Sequence, residues 1–362
     1  MDDTPAHDSA APAYQAAGVV VRPSGRRDRL HPIMLTGDSE THRDPSADPS
    51  REESLPPKAE LEARIKRERS AVLLVNTRSR RGRDLFEATI RHLAAEGYRV
   101  SAAFPVADTA ALGDTIDEAV ALEPSLLVLG SGDGTVSEVV GHLAYRNVAL
   151  GLLPLGTTNN FARNLGLPFS PEQAVQVITR GKVVDIDLGK VDDHYFANVA
   201  SIGVSVEVAR TVSHRLKRVM GRPAYTVAGA QAFLSHEPFR AVVRTPHARH
   251  EFFTHQLVVA NGGYHGGRII AHGASVEDRE LTIFPLGDHR RSRFVTGLAA
   301  YAYGRRKYLA EGDFISTAEA VIESDPPRHV EIDGEIEAVT PIKVTVARQA
   351  LRIMAPQGFE DL

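Results

Sequence analysis

Cysteine and tryptophan are absent from the 362 residues, and methionine occurs only four times. Without cysteine there is no disulfide, no thiolate metal site, no cysteine nucleophile and no acylated or prenylated cysteine anchor. Long apolar runs are missing as well. Val148–Gly156 and Val295–Gly304 are the longest, about half of the roughly 20 residues a membrane-spanning helix needs. The opening segment MDDTPAHDSA is acidic and has no apolar signal core, so secretion finds no support in it. A strong excess of one charge is lacking too. The formal net charge is −4, which argues against a wholesale basic surface for nucleic acid. What remains is a cytoplasmic chain without a transmembrane segment, of a length that suits about two domains.

Proline is plentiful in one place. Eight of the 21 prolines fall in residues 1–57, among Ser, Asp and Arg and without a sustained apolar period. Residues 1–68 therefore read as a disordered extension, with KAELEARIKRER able to form one exposed helix. From Ala71 the texture changes. Short apolar runs at Ala71–Val75, Tyr98–Phe104, Ser125–Leu129 and Val148–Leu153 alternate with helical patterns at Leu85–Leu93, Ala110–Leu122 and from about Val136. That alternation predicts a parallel sheet with helical crossovers over residues 69–190. In such sheets ligands bind at the carboxyl ends of the strands. Beyond about Val183, β-like runs dominate, at Val183–Leu188, Tyr195–Val199, Phe239–Arg244, Gln256–Ala260, Leu281–Pro285, Val330–Ile332 and Ile342–Val346. They predict a β-rich, sandwich-like second lobe over 191–345, with 346–362 returning to the first lobe. Helical stretches at Val204–Val219, Ala224–Leu234 and Phe294–Tyr303 interrupt it.

Two glycine turns stand out. Gly130-Ser-Gly-Asp-Gly-Thr135 with Glu138 lies between a strand and a helix, where backbone N–H groups and the helix dipole favour phosphate. A plainer explanation, a capping box formed by Thr135 and Glu138, needs none of the glycines. Thr135 replaces the third glycine of a dinucleotide fingerprint, and Gly181-Lys182 and Gly189-Lys190 are followed by Val, so neither common phosphate motif is present. The second turn, Leu153-Pro-Leu-Gly-Thr-Thr-Asn-Asn-Phe-Ala-Arg163, also follows an apolar strand. Gly156 allows a tight turn, Thr157 offers donors toward a phosphate, and Asn159 is placed to cap the next helix.

Together, Ser131-Gly-Asp-Gly-Thr135 with Glu138 and Pro154-Leu-Gly-Thr-Thr-Asn159 with Phe161-Ala-Arg163 resemble the catalytic domain of diacylglycerol kinases, sphingosine kinases and their bacterial lipid-kinase relatives. The first turn is shared with NAD kinases and phosphofructokinase-like enzymes; the second is more specific to the lipid kinases. The resemblance spans roughly Val72 to Arg352. It implies an α/β lobe of the phosphofructokinase and NAD kinase type, ATP with Mg²⁺, and a lipid hydroxyl as phosphate acceptor. Asn76, Ser79, Gly130, Ser131, Gly132, Asp133, Gly134, Thr135, Glu138, Gly156, Thr157 and Asn159 then match the nucleotide site. Far downstream, Asp333-Gly-Glu335 resembles the family's Asp-Gly-Glu. That makes Asp333 the general base, Glu335 a Mg²⁺-side or supporting carboxylate and Asp133 a catalytic group. Read without the resemblance, Asp333-Gly334 between β-like runs is a hairpin turn. Asp278 matches a ligand of the structural Mg²⁺ held by bacterial members.

The chain departs from the family pattern in places. Asn160 stands where Asp is common, Arg279 where Gly usually follows Asp278, and Thr282 where Asp is frequent. These substitutions thin the charge available to a metal. Basic clusters at Arg215–Met220, His289–Arg293 and Arg305–Lys307 read singly as solvated faces. Jointly they would dock the protein on anionic headgroups, which fits the peripheral membrane association that the resemblance implies; a homodimer is compatible with it. His250-Glu-Phe-Phe-Thr-His255 has its histidines five apart rather than four, and Phe-Phe favours a strand over a zinc helix. Two alternatives stay open: a kinase of a soluble substrate such as NAD, and a nucleotide-binding regulatory protein without catalysis.

Overall fold

The computed structural model describes residues 20–22, 55–77, 80–211, 236–265, 268–269, 275–287 and 314–360. The chain divides into two compact units, one of residues 1–157, 166–184 and 351–359, the other of 158–165, 185–350 and 360–362. In chain order the elements up to the division are β1 (Val20–Val21), α1 (Lys58–Glu68), β2 (Ser70–Asn76), α2 (Arg80–Ala95), β3 (Arg99–Val106), α3 (Leu112–Val120), β4 (Leu126–Ser131), α4 (Asp133–Leu143), β5 (Ala149–Pro154), α5 (Asn160–Asn164), α6 (Pro171–Arg180) and β6 (Lys182–Val191). They continue with β7 (His194–Phe196), β8 (Val199–Gly203), α7 (Val204–Thr211), β9 (Phe239–Arg244), β10 (Arg249–Thr254), β11 (Gln256–Ala260), β12 (Tyr264–His265) and β13 (Arg268–Ile269). The last are β14 (Leu281–Leu286), β15 (Ile315–Thr317), β16 (Glu319–Asp325), β17 (His329–Ile332), β18 (Glu335–Val339) and β19 (Ile342–Ala355).

The first unit is the expected parallel α/β sheet. β2 lies between β3 and β4, and β5 follows β4, all parallel. Every residue of β4 and β5 is buried, as strands covered on both faces require, and both are accordingly apolar runs rather than alternating ones. The order reverses between β2, which has β3 on one side, and β4 on the other. That switch point is where an open α/β sheet leaves a crevice at its strand ends. The end of β19 closes the far side, with Arg352 opposite Ala149 of β5.

Two features of residues 1–68 differ from the expected extension. Val20–Val21 pairs in parallel with Ala102–Ala103 of β3, extending the sheet edge by one short strand. The helix at 58–68 is not exposed all round: Leu61 and Ile65 are buried in the same core cluster as Leu73 and Leu93. Those two residues are four apart and share one helix face, so a stripe of two apolar side chains in a charged segment is enough to dock it. Arg352 helps hold this end. Buried itself, it donates to the Asn147 side chain at 2.6 Å and to the Pro56 carbonyl.

The second unit is an antiparallel sandwich. One sheet runs β15-β14-β11-β8-β17-β18; the facing strands are β9, β10, β16 and the start of β19. Inward residues from both layers, among them Ile202, Leu257, Ile283 and Val330 against Phe239, Val243, Ile322 and Val344, form one core. The outer face of β9, β10 and β16 is laced by Arg240–Glu251, Arg249–Glu251 and Arg244–Glu323 pairs. The near-zincin segment is strand β10 running into its turn, with His250 on the strand and His255 buried beyond it. Of the expected helical stretches only Val204–Thr211 lies among the described residues; Ala224–Leu234, Phe294–Tyr303 and the three basic clusters lie outside them.

If α1 contributes to the core, Leu61→Ala should destabilise the protein by about 2–5 kcal/mol. Glu60→Ala, on the exposed side, should change stability by less than about 0.5 kcal/mol. Urea denaturation of the two variants measures both.

Candidate functional site

The register of the first sheet brings three strand ends level. Val75 of β2 is opposite Gly130 of β4, and Gly130 is opposite Leu153 of β5. Asn76, Ser131 and Pro154 therefore finish side by side. The turn after β4 is a single residue. Gly132 is extended, and α4 starts at Asp133, three residues earlier than its apolar pattern indicates. Asp133, Gly134 and Thr135 thus form the first helical turn, whose N–H groups have no partner within the helix. Gly132 is the N-cap and has no side chain to satisfy them, so the capping box built on Thr135 is not formed.

The glycines of this turn have different reasons. A Cβ on Gly132 would lie 3.0 Å from the Cα of Gly156, so the two glycine turns touch backbone to backbone. A Cβ on Gly134 would meet nothing within 4 Å. Packing does not require glycine there, whereas a ligand seated on the helix N-terminus would. Ser131 is buried, its carbonyl accepts the Leu155 N–H at 2.8 Å, and its Oγ has no hydrogen-bond partner among the described residues. A buried hydroxyl without a partner, beside the first turn of a helix, suits an anionic, oxygen-rich ligand.

The remaining nucleotide-site expectations are placed as follows. Thr157 is exposed just beyond Gly156. Glu138 is on the second turn of α4, its Oε1 3.6 Å from where a Cβ of Gly113 on α3 would be, so it faces the neighbouring helix. Ser79 lies outside the described residues. In the second unit, Asn159 is the N-cap of α5 with φ 46°, but its side chain makes no capping bond. Phe161 and Ala162 are core residues, and Arg163 Nε donates to the Thr158 carbonyl at 2.8 Å.

Asp333 and Gly334 form the turn of the β17–β18 hairpin, with φ of 47° and 106°. Positive φ at both central residues is the tight hairpin geometry for which Asp-Gly is favoured. The Asp333 side chain does more than turn the chain. Its Oδ2 accepts the Ala197 N–H at 2.7 Å and its Oδ1 the Val199 N–H at 2.8 Å, with Asn198 N–H between them at 3.1 Å from Oδ1. The Asp333 N–H returns a bond to the Val199 carbonyl at 2.8 Å. The Asn198 N–H also reaches Oδ2 at 3.3 Å, so the three donors hold both oxygens and fix the orientation of the carboxylate. Glu335 is exposed at the start of β18.

Asp278 also holds backbone. Its Oδ2 accepts the Ser275 N–H at 2.8 Å and its Oδ1 the Glu280 N–H at 3.0 Å. Burial pushes its carboxyl above the usual range, and the nearby charges of Glu280 and Asp187 add to that. No group of three or more potential ligands assembles a metal cage among the described residues. Asn160 and Thr282, the positions often occupied by Asp, are buried and uncharged. The donor set here does not fit a structural divalent cation.

Sequence reading gave no prominence to two residues that organise this region. Asp187 of β6 accepts the Gln349 N–H at 2.7 Å on Oδ1 and the Arg279 N–H at 3.0 Å on Oδ2. Burial raises its carboxyl too. Asn261, fully buried, donates through Nδ2 to the carbonyls of Asp187 and Ala197 at 3.1 and 3.2 Å. Arg279 has φ 60°, the left-handed conformation that glycine adopts without strain. A cavity of about 270 Å³ lies in the same unit, between Gly203, Val206 and Glu207 on one side and Pro326–His329 on the other. Its Glu207–Arg328 ion pair gives it polar walls.

Comparison with known proteins covers both units. Residues 70–191 match the diacylglycerol kinase catalytic domain, and residues 198–355 match the YegS C-terminal NAD kinase beta sandwich-like domain. A protein of Chromohalobacter salexigens named probable lipid kinase YegS-like is 30% identical over 241 residues, covering 64% of this chain and 76% of the relative. Its namesake in Serratia proteamaculans is 34% identical over 157 residues, 42% of this chain and 52% of the relative. In fold, the chain is similar to the crystal structure of a diacylglycerol kinase from Bacillus anthracis, with a TM-score of 0.62 at 21% identity over 80% of this chain and 97% of that one.

The geometry gives two expected outcomes. Gly134→Ala should leave stability unchanged or raise it by up to about 1 kcal/mol, as helix propensity favours alanine, yet raise the KM for ATP. Thermal melts and steady-state kinetics separate the two effects. Arg279→Gly should stabilise the protein by about 0.5–1 kcal/mol by relieving the left-handed strain while keeping the N–H that Asp187 holds. A shift in urea midpoint measures it.

Proposed function

We propose a reaction from one premise: the chain belongs to the YegS-like lipid kinases, built from a diacylglycerol kinase catalytic domain and a YegS C-terminal domain. The reaction is transfer of the γ-phosphate of ATP to a hydroxyl of a diacylglycerol-like lipid. The observation that carries this reading is the pair of glycine turns at the level ends of β4 and β5, in backbone contact at Gly132 and Gly156, with open space over Gly134.

Each role follows from local chemistry. Phosphoryl transfer depends on positioning and charge stabilisation more than on covalent help from the protein. The first turn of α4 offers its N–H groups to the triphosphate, and the Ser131 hydroxyl adds a further donor. Mg²⁺ bound to a nucleotide needs only one or two carboxylates besides the phosphates, and Asp133 supplies one; when bound, the ion neutralises phosphate charge. Asp333, its carboxylate oriented by the three N–H bonds, takes the proton of the acceptor hydroxyl. Glu335, at the foot of the same hairpin, supports it with negative charge. No helix among the described residues is long and apolar enough to cross a membrane. In this reading the enzyme meets its lipid at the bilayer surface.

The test uses the purified full chain, γ-labelled ATP, Mg²⁺, phosphatidylcholine vesicles containing diacylglycerol and, in parallel, NAD. Label should enter the lipid phase; label in NAD alone would overturn the assignment. Asp133→Ala should abolish transfer, and Asp333→Asn should lower it by about 10²–10⁴-fold. Because the Asp333 carboxylate also anchors three N–H groups, the urea midpoint of Asp333→Asn must accompany its rate.

A further inference from the structure

We infer that Asn261 is a positioning residue for Asp333, fixing the three N–H groups that orient its carboxylate. The inference rests on the reading of Asp333 as the general base, and all the residues involved lie within the second unit.

The three donors to Asp333 come from Ala197, Asn198 and Val199, at the short connection between β7 and β8. A connection of this kind has its β8 end held by pairing, with β11 from Val199 onward and with β17 from Ala200 onward. Nothing in strand pairing holds Ala197 and Asn198. Asn261 does so from the end of β11. Its main-chain N–H donates to the Asn198 carbonyl at 2.8 Å, and its Nδ2 donates to the Ala197 carbonyl at 3.2 Å. The second Nδ2 proton goes to the Asp187 carbonyl at 3.1 Å. Both side-chain partners are carbonyl oxygens, so the amide must present its NH₂ to them, and both of its protons are used.

Asp187 supplies the fixed end. Its own N–H is bonded to the Val276 carbonyl at 2.7 Å, and its carboxylate grips the N–H groups of Gln349 and Arg279. The Asn261 amide is therefore a strut between an anchored carbonyl and the connection that carries the donors. The peptide whose carbonyl the amide holds, Ala197, is the one whose next N–H, that of Asn198, points at Asp333. A displacement of 1 Å in a reacting group costs on the order of 10²-fold in rate. Loosening this connection would release Asp333 to that extent without touching the nucleotide turns.

The experiment pairs native-state amide exchange with kinetics on Asn261→Ala, Asn261→Asp, Asp333→Asn and a control, Ile322→Ala, in the sandwich core. In both Asn261 variants, exchange at Ala197, Asn198 and Val199 should accelerate about tenfold or more, with β9 and β16 keeping their protection. The kcat for lipid phosphorylation should fall by about 10–10²-fold with the KM for ATP unchanged. Ile322→Ala, compared at equal loss of stability, should keep its kcat. Unchanged exchange at the three amides would overturn the strut. Accelerated exchange with undiminished kcat, where Asp333→Asn is inactive, would overturn its service to catalysis. Full activity of Asp333→Asn would instead strike the base assignment, and this inference with it.

Discussion

Three carboxylates of the second unit accept backbone N–H groups on both oxygens: Asp187 and Asp333 hold loops remote from them in sequence, and Asp278 holds its own turn. A sandwich satisfies the N–H groups of its strands through the ladders but leaves those of its connections to find other partners. A charged acceptor makes stronger bonds than a neutral one and can serve two or three donors at once. The arrangement has a cost: burial pushes Asp187 and Asp278 toward the neutral form. The N–H bonds oppose that push in both. Loop order in this unit is thus set by where three acidic side chains lie.

This also bears on why no three potential ligands come together among the described residues. The Asp278 oxygens are already directed at peptide N–H groups, and Asn160 and Thr282 bring no charge. The same loop shape is obtained with hydrogen bonds alone. Arg279 fits that account: its left-handed conformation is imposed by the turn that Asp278 and Asp187 hold, not chosen by its side chain.

The parts of the molecule set by local pattern were legible in the sequence. Uninterrupted apolar runs at Leu126–Leu129 and Ala149–Leu153 mark doubly covered strands, and the glycine turns after them mark the crevice end of a parallel sheet. Parts set by distant partners were not. The Asp187 carboxylate finds its donors 92 and 162 residues away, and nothing in a β-like run such as Val183–Leu188 singles out one acid. Asn261 looks like an ordinary loop residue until Ala197 is folded beside it. The start of α4 was displaced because Asp, Gly and Thr favour turns by propensity, whereas β4 delivers the chain directly into a helical turn at Asp133. The docked face of α1 was hidden for a different reason: two apolar residues are too few to stand out among seven charged ones.

β19 serves both units. Ile342–Thr345 pair with β16 in the sandwich, and Arg352–Ile353 pair with β5 in the parallel sheet. During synthesis, the part that completes the first sheet leaves the ribosome about 170 residues after that unit's preceding segment. At translation speeds of roughly 5–20 residues per second that delay is on the order of 10–30 s. Throughout it, the outer edge of β5, an entirely buried strand in the finished protein, waits without the pairing β19 provides. The nascent first unit therefore carries an unpaired strand edge, open to pairing with other chains, that the finished one does not.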